Sequence, residues 1–303
     1  MILAMADQTG GLPEPFDVDA AVRRARERAL HTIGRLPPMS PVLNKLMVSL
    51  ADDDITFAKL GDLIEKDTVL AGNVLRLVNS AFYARRGEVN SVRHAVSILG
   101  LAKIRNVAIS LSINHMWKNQ KWPEGWSARQ FNLHATACAV MSDLMALEFP
   151  VDYAEGAFTA GLLQNLGILP IALGFGEEYR RIREVYEAGQ ADLISCERQI
   201  TGLDHAELSA EVLRHWKLPE PIVAAVACHH NGWPIQTAPS SLGQVVALTD
   251  RLVGQHGIQA QEWHRAAEGT ALETLEGLGF GERAPAAMQV FESEYEALKA
   301  FFQ

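Results

Sequence analysis

Ala160-Gly161-Leu162-Leu163-Gln164-Asn165-Leu166-Gly167-Ile168-Leu169 is an apolar decapeptide interrupted by two neighbouring amides. It closes a segment, residues 153–169, whose apolar character and length predict a helix. Buried polar groups take hydrogen-bond partners. Gln164 and Asn165 therefore imply a polar core inside an otherwise greasy element.

Outward from this segment the pattern stays helical. Pro41 suits a first helical turn, and Leu43, Leu46, Met47 and Leu50 follow at core spacing. Thr56 and Ser91 are candidate N-caps, and Gly100 suits a helix C-terminus. Longer apolar helices are expected over residues 103–117 and 128–147, and a charged one over 177–188. Asp204 with Glu207 forms a capping-box start. Pro221 opens a helix that runs to His229-His230, and Ser240-Ser241 start another. No alternating run is long enough for a strand, and no repeat has a solenoid period. The expected fold class is all-α.

Bulk composition narrows the function classes. The chain has 303 residues, 48% hydrophobic and 21% charged, an ordinary globular mix. A net charge of −9 argues against a general nucleic-acid binder, which needs a basic footprint. Cys138, Cys196 and Cys228 are widely spaced without a CxxC, so neither a disulfide framework nor a zinc knuckle is expected. The N-terminus lacks a basic region before its apolar residues, and no apolar stretch was expected to approach a membrane span. The expectation is a cytoplasmic protein with no membrane partner. No Walker loop, GxSxG or HExxH is present. Cys228 beside His229 is adjacency in sequence, not the geometry of a thiolate–imidazolium pair.

Several runs together carry a family resemblance. They are Leu36-Pro37-Pro38-Met39-Ser40, Leu63-Ile64-Glu65-Lys66-Asp67, and Leu75-Arg76-Leu77-Val78-Asn79-Ser80-Ala81-Phe82-Tyr83. The run Ser-Val-Arg-His-Ala-Val-Ser-Ile-Leu-Gly-Leu-Ala-Lys-Ile-Arg at 91–105 continues the series. Asp204-His205-Ala206-Glu207, Trp216-Lys217-Leu218-Pro219 and His229-His230 complete it. In order and spacing these resemble the HDOD family, the HD-related output domains of bacterial signalling proteins. The resemblance covers residues 36–232 and implies a two-lobed helical HD-like fold, with lobes at about 36–117 and 128–232. A flexible tail (1–16), an N-terminal helix (17–35), a joint near 118–127 and a C-terminal helical extension (233–303) complete the expected organisation. That extension either completes or flanks the second lobe. Asp67, Asn79 and Gly100 are signature positions with structural roles.

The decapeptide resembles the Gly-Leu-Leu-His-Asp-Ile-Gly-Lys-Leu helix of the HD superfamily, with both metal ligands replaced by amides. By the same resemblance the first metal-binding His falls on His134 and the distant Asp on Asp250. His205, His229 and His230 occupy contexts similar to the additional histidines of two-metal relatives. An amide oxygen is a weak donor to a transition ion, whereas imidazole and carboxylate bind tightly. The degenerate positions His134, Gln164, Asn165, His205, His229, His230 and Asp250 thus imply no catalytic residue, no bound metal and no cofactor. The resemblance then implies a pseudoenzyme, a response-regulator-type output module that binds a signalling protein in two-component or cyclic-nucleotide pathways. Two alternatives stay open: a residual metal-dependent phosphohydrolase, and a sensor that binds a nucleotide in the old pocket.

Overall fold

Side-chain caps start the helices where the sequence places them. Ser40, Thr56, Asp67, Ser91, Ser127 and Asp204 each accept a backbone N–H in the first turn of the helix that follows. Each such cap contributes about 1 kcal/mol. The structure is a computed structural model and describes residues 18–34, 36–52, 54–80, 89–117, 120–231, 233–234 and 237–300. The expected tail, Ala81-Phe82-Tyr83 and the first two residues of the joint lie outside the described residues.

The helices are α1 (Val18–Ile33), α2 (Pro41–Val48), α3 (Phe57–Glu65), α4 (Thr68–Val78), α5 (Val92–Leu99), α6 (Leu101–Met116), α7 (Ala128–Glu148) and α8 (Ala157–Leu163). Then come α9 (Ile168–Gly174), α10 (Gly176–Glu187), α11 (Leu193–Thr201), α12 (His205–His215), α13 (Glu220–Ala227), α14 (Leu242–Gln255), α15 (Ala271–Gly277) and α16 (Ala284–Lys299). No strand occurs among the described residues, and the fold is all-α.

Helices α2 to α6 pack on one another, and α6 touches α8. The signature residues of this half serve its backbone. Asp67 Oδ1 accepts the Val69 and Leu70 N–H groups. Asn79 receives the Val89 N–H and donates to the Val89 carbonyl, both at 2.8 Å, tying the end of α4 to the approach to α5. Gly100 takes φ +86° between α5 and α6, a left-handed conformation that side chains resist.

In the other half α7 is the central post, buried along most of its length from Phe131 to Ala146. Helices α8, α14 and α16 surround it, and α1 lies against α9, α11 and α12. Residues beyond 233 thus contribute α14 and α16 directly to the packing around α7. Between the halves, Trp122 stacks on Trp126 with ring centres 4.7 Å apart, and Trp126 packs against Tyr179 of α10.

Two expectations need correction. The helix expected over residues 153–169 is broken into α8 and α9 by a turn at residues 164–167. Pro170 explains why: it lacks an N–H, and inside a continuous helix its ring would clash with the Leu166 carbonyl. In the first turn of α9 it is harmless. The stretch Ala154–Gly174 also reaches 21 residues at mean hydropathy 1.4, long enough to cross a membrane, where none was expected. Its most apolar window is 94% buried inside the protein, so here it forms core.

The turn at 164–167 is held by Ser209 of α12. Its hydroxyl donates to the Gln164 carbonyl and accepts the Gly167 N–H, each at 2.7 Å. The two backbones approach so closely that a Cβ on Gly167 would stand 2.1 Å from the His205 carbonyl oxygen. Gly167→Ala must push α12 away, and overpacking of this kind costs about 3 kcal/mol or more. Urea unfolding should show that loss; a change under about 0.5 kcal/mol would contradict the docking described.

Candidate functional site

The α8–α9 turn meets α7, α12, α14 and the turn after α13 around a cavity of about 330 Å³. Its wall includes His134, Asn165, His205, His229, His230 and Asp250. Gln164 lies behind this wall, bonded to Asp250. The seven positions marked in the sequence therefore come together in space, although they span residues 134 to 250. Asp67, Asn79 and Gly100 do not line the cavity; they stand in the α2–α6 half.

On one side the two amides tie the site together. Gln164 Nε2 donates to Asp250 Oδ1 at 2.9 Å and to Cys138 Sγ at 3.0 Å. Asn165 Nδ2 lies 3.0 Å from His134 Nε2. The His134 ring is fixed from its far side, where Nδ1 donates to the Ile258 carbonyl at 2.8 Å. Asp250 Oδ1 is 3.4 Å from His134 Nε2. Burial pulls the His134 imidazole down, but Cys138 and Asp250 outweigh it and hold it well above its ordinary value. Burial pushes the Asp250 carboxyl up, and the bond and charge of His134 overcome this and keep it well below the usual range. Asp250 is held by an imidazole and an amide.

On the other side stand three histidines and a carboxylate. His205 Nδ1 lies 2.7 Å from Glu197 Oε2, which also accepts the His205 backbone N–H at 2.8 Å. Both side chains are only 3% exposed. His205 Nε2 faces His230 Nε2 at 2.9 Å. His229 Nδ1 bonds the Val226 carbonyl at 2.7 Å, and its buried Nε2 has no protein partner. Burial lowers His205, but Glu197 outweighs it and the value is raised. Burial, then its neighbouring histidines, drives His229 well down, and burial with His205 takes His230 to about 4.

Six contributors escaped the sequence reading. Cys138 sits one helical turn beyond His134 on α7, so an i, i+4 scan from His134 would have found it. Ser209 has the same relation to His205 on α12. Glu197 ends no motif, and nothing local signals it. His264, Arg265 and Arg251 line the cavity from α14 and the segment after it.

The HD superfamily implies a metal among His134, the doublet and Asp250, and the donor chemistry here does not fit one. Gln164 directs N–H hydrogens at Asp250 and Cys138, occupying the lone pairs an ion would need. Hydrogen bonds tie this half together, with Gln164 Oε1 left buried without a protein partner.

His264 gives the site a pH signature. Burial, then the charges of His205 and His134, lower its imidazole to about 3. It stays neutral in the folded state while the unfolded chain takes up a proton near pH 6.5. Its stabilising contribution is thus intact above that value and is lost as pH falls toward 3. Between pH 7 and 5, His264→Gln should remove up to about 2 kcal/mol of acid destabilisation. Urea midpoints of both proteins at the two pH values give the answer, and parallel losses would refute it.

Known proteins share this architecture. A solved HDOD domain protein of unknown function from Geobacter sulfurreducens superposes with a TM-score of 0.71 at 21% identity, covering 93% of this chain and 99% of that one. A candidate signal transduction protein from Marinobacter aquaeolei VT8 gives 0.71 at 22%, covering 96% and 67%. A candidate phosphohydrolase from Shewanella amazonensis SB2B gives 0.69 at 22%, covering 91% and 98%. At these identities the likeness establishes the fold. An uncharacterized protein from Treponema pallidum (strain Nichols) is 21% identical over 226 residues, 73% of this chain and 42% of the other, so the chain spans less than half of that relative's length. The model of the HDOD domain matches residues 36–232. The chain belongs to the HDOD domain family.

Proposed function

We propose that this chain is a non-catalytic signal-transduction module of a bacterial regulatory pathway, working in the cytoplasm by binding a protein partner. Two-component and cyclic-nucleotide signalling are the contexts that suit it. One observation carries the reading: Gln164 Nε2 donates to Asp250 and Cys138, where an HD hydrolase needs an open metal. Hydrolysis requires a cation that lowers the pKa of its water and keeps a free coordination position. The resemblance to a signal transduction protein agrees with this reading, and the resemblance to a phosphohydrolase sets the rival to be excluded.

The test is hydrolysis of bis(p-nitrophenyl) phosphate and of cyclic dinucleotides with added Mn²⁺. The rate should match buffer for the intact chain. Turnover that vanishes in Asp250→Ala would overturn the reading and reinstate the enzyme.

A second reading, a nucleotide sensor, has one observation in its favour. Arg251, Arg265 and His264 line the cavity together with apolar Ile168, Leu193 and Ala247. Arg251 Nε and His264 Nε2 have no protein partner. Guanidinium groups suit phosphate, and an apolar wall suits a base. Trp263 lies with its ring centre 4.3 Å from that of His264. Its fluorescence should change saturably with cyclic mononucleotides or dinucleotides if this reading holds. A flat titration to millimolar ligand removes it.

A further inference from the structure

Residues 258–265, between α14 and α15, form no helix, yet they touch both the cavity and the joint between the halves. Ile258, Gln259, Ala260, His264 and Arg265 line the cavity. The same stretch runs beside the start of α7, where Ser127, Gln130 and His134 recur at the spacing of one helix face. His134 Nδ1 donates to the Ile258 carbonyl and Gln130 Nε2 to the Gln259 carbonyl, both at 2.8 Å. Gln261 is fully buried and closes a reciprocal pair with the N-cap of α7. Its Oε1 accepts the Ser127 N–H at 3.0 Å, and its Nε2 donates to the Ser127 carbonyl at 3.4 Å. Ser127 ends the joint, so these bonds carry the cavity wall to it.

A second line of contacts runs the same way through rings. Trp263 abuts His264 and donates from Nε1 to the Tyr179 hydroxyl at 3.2 Å. Tyr179 packs in turn on Trp126, which stacks on Trp122 in the joint. At the far end, the Tyr186 hydroxyl accepts the Arg265 N–H at 3.1 Å, and the Arg265 guanidinium lies 4.5 Å from the centre of that ring. Both lines consist of side-chain contacts, not of a helical ladder. Stretches held in this way open more readily than packed helices do.

We propose that residues 258–265 are a coupling strap, through which the cavity and the joint loosen and tighten as one unit. Lifting the strap frees the Ser127 N–H and withdraws Trp263 from Tyr179 in the same motion. An occupant that braces His264 or Arg265 therefore stiffens the joint. By linkage, a partner that grips the joint tightens the cavity. The inference goes beyond both readings of the cavity and rests on neither: turnover in the hydrolysis assay or a flat nucleotide titration would leave it untouched.

Native-state hydrogen exchange of the full chain, read by NMR, tests the coupling. The Ser127 and Arg265 amides report the two ends of the strap, and the Val89 amide, held by Asn79 in the other half, is the reference. Ser127 and Arg265 should show equal protection and equal urea dependence, below those of global unfolding. Tyr186→Phe removes the acceptor of the Arg265 N–H and keeps the ring. Ser127, bonded to Gln261 instead, should nevertheless exchange about tenfold faster together with Arg265. Gln261→Ala should speed Arg265 in the same way, and Val89 should be unchanged in both variants. Acceleration of Arg265 alone in Tyr186→Phe overturns the proposal, as do unequal protections in the parent chain. Exchange of both amides only through global unfolding overturns it too, and so does an equal acceleration of Val89.

Discussion

One hydroxyl sets the geometry of the whole site. Ser209 accepts the Gly167 N–H and donates to the Gln164 carbonyl, so two backbone groups freed by the break between α8 and α9 are satisfied from α12. A buried break left unpaired would cost roughly 1–3 kcal/mol for each orphaned group. With the clamp in place, α12 docks closely enough to exclude any side chain at residue 167. That docking brings His205, at the start of α12, alongside the amide pair. The histidine corner and the amide side are thus assembled by one contact between two helices.

The electrostatics of the two sides then diverge. Against the pull of burial on both, Asp250 and His134 draw each other away from their ordinary ranges, Asp250 downward and His134 upward. The amides bind both partners, Gln164 bonding Asp250 and Asn165 bonding His134. Across the cavity Glu197 holds His205, while burial keeps His229 and His230 neutral. The two sides of the cavity thus differ: amides bind His134 and Asp250 on one, and three imidazoles meet on the other.

Much of this was legible in the sequence. The helix starts were, because Ser40, Thr56, Asp67, Ser91 and Asp204 are local caps whose chemistry acts within three residues. The membership of the site was also legible, because His134, Gln164, Asn165 and Asp250 are spaced as a family motif spaces them. The break at residues 164–167 was missed although Pro170 announced it, since apolar periodicity runs unbroken across the turn. Glu197 and Ser209 were missed for a different reason. Their partners lie on another helix or loop, and no spacing rule within one element connects Ser209 to Gly167 or Arg265 to the cavity. Tertiary approach, not local pattern, made them part of the site.

The division of the site is the central claim, and a crystal soaked in millimolar Co²⁺ tests it most directly through anomalous scattering. The account predicts Gln164 still bonded to Asp250 and no peak beside His134 and Asp250. A peak between His134 and Asp250, with the Gln164 amide displaced, would contradict it.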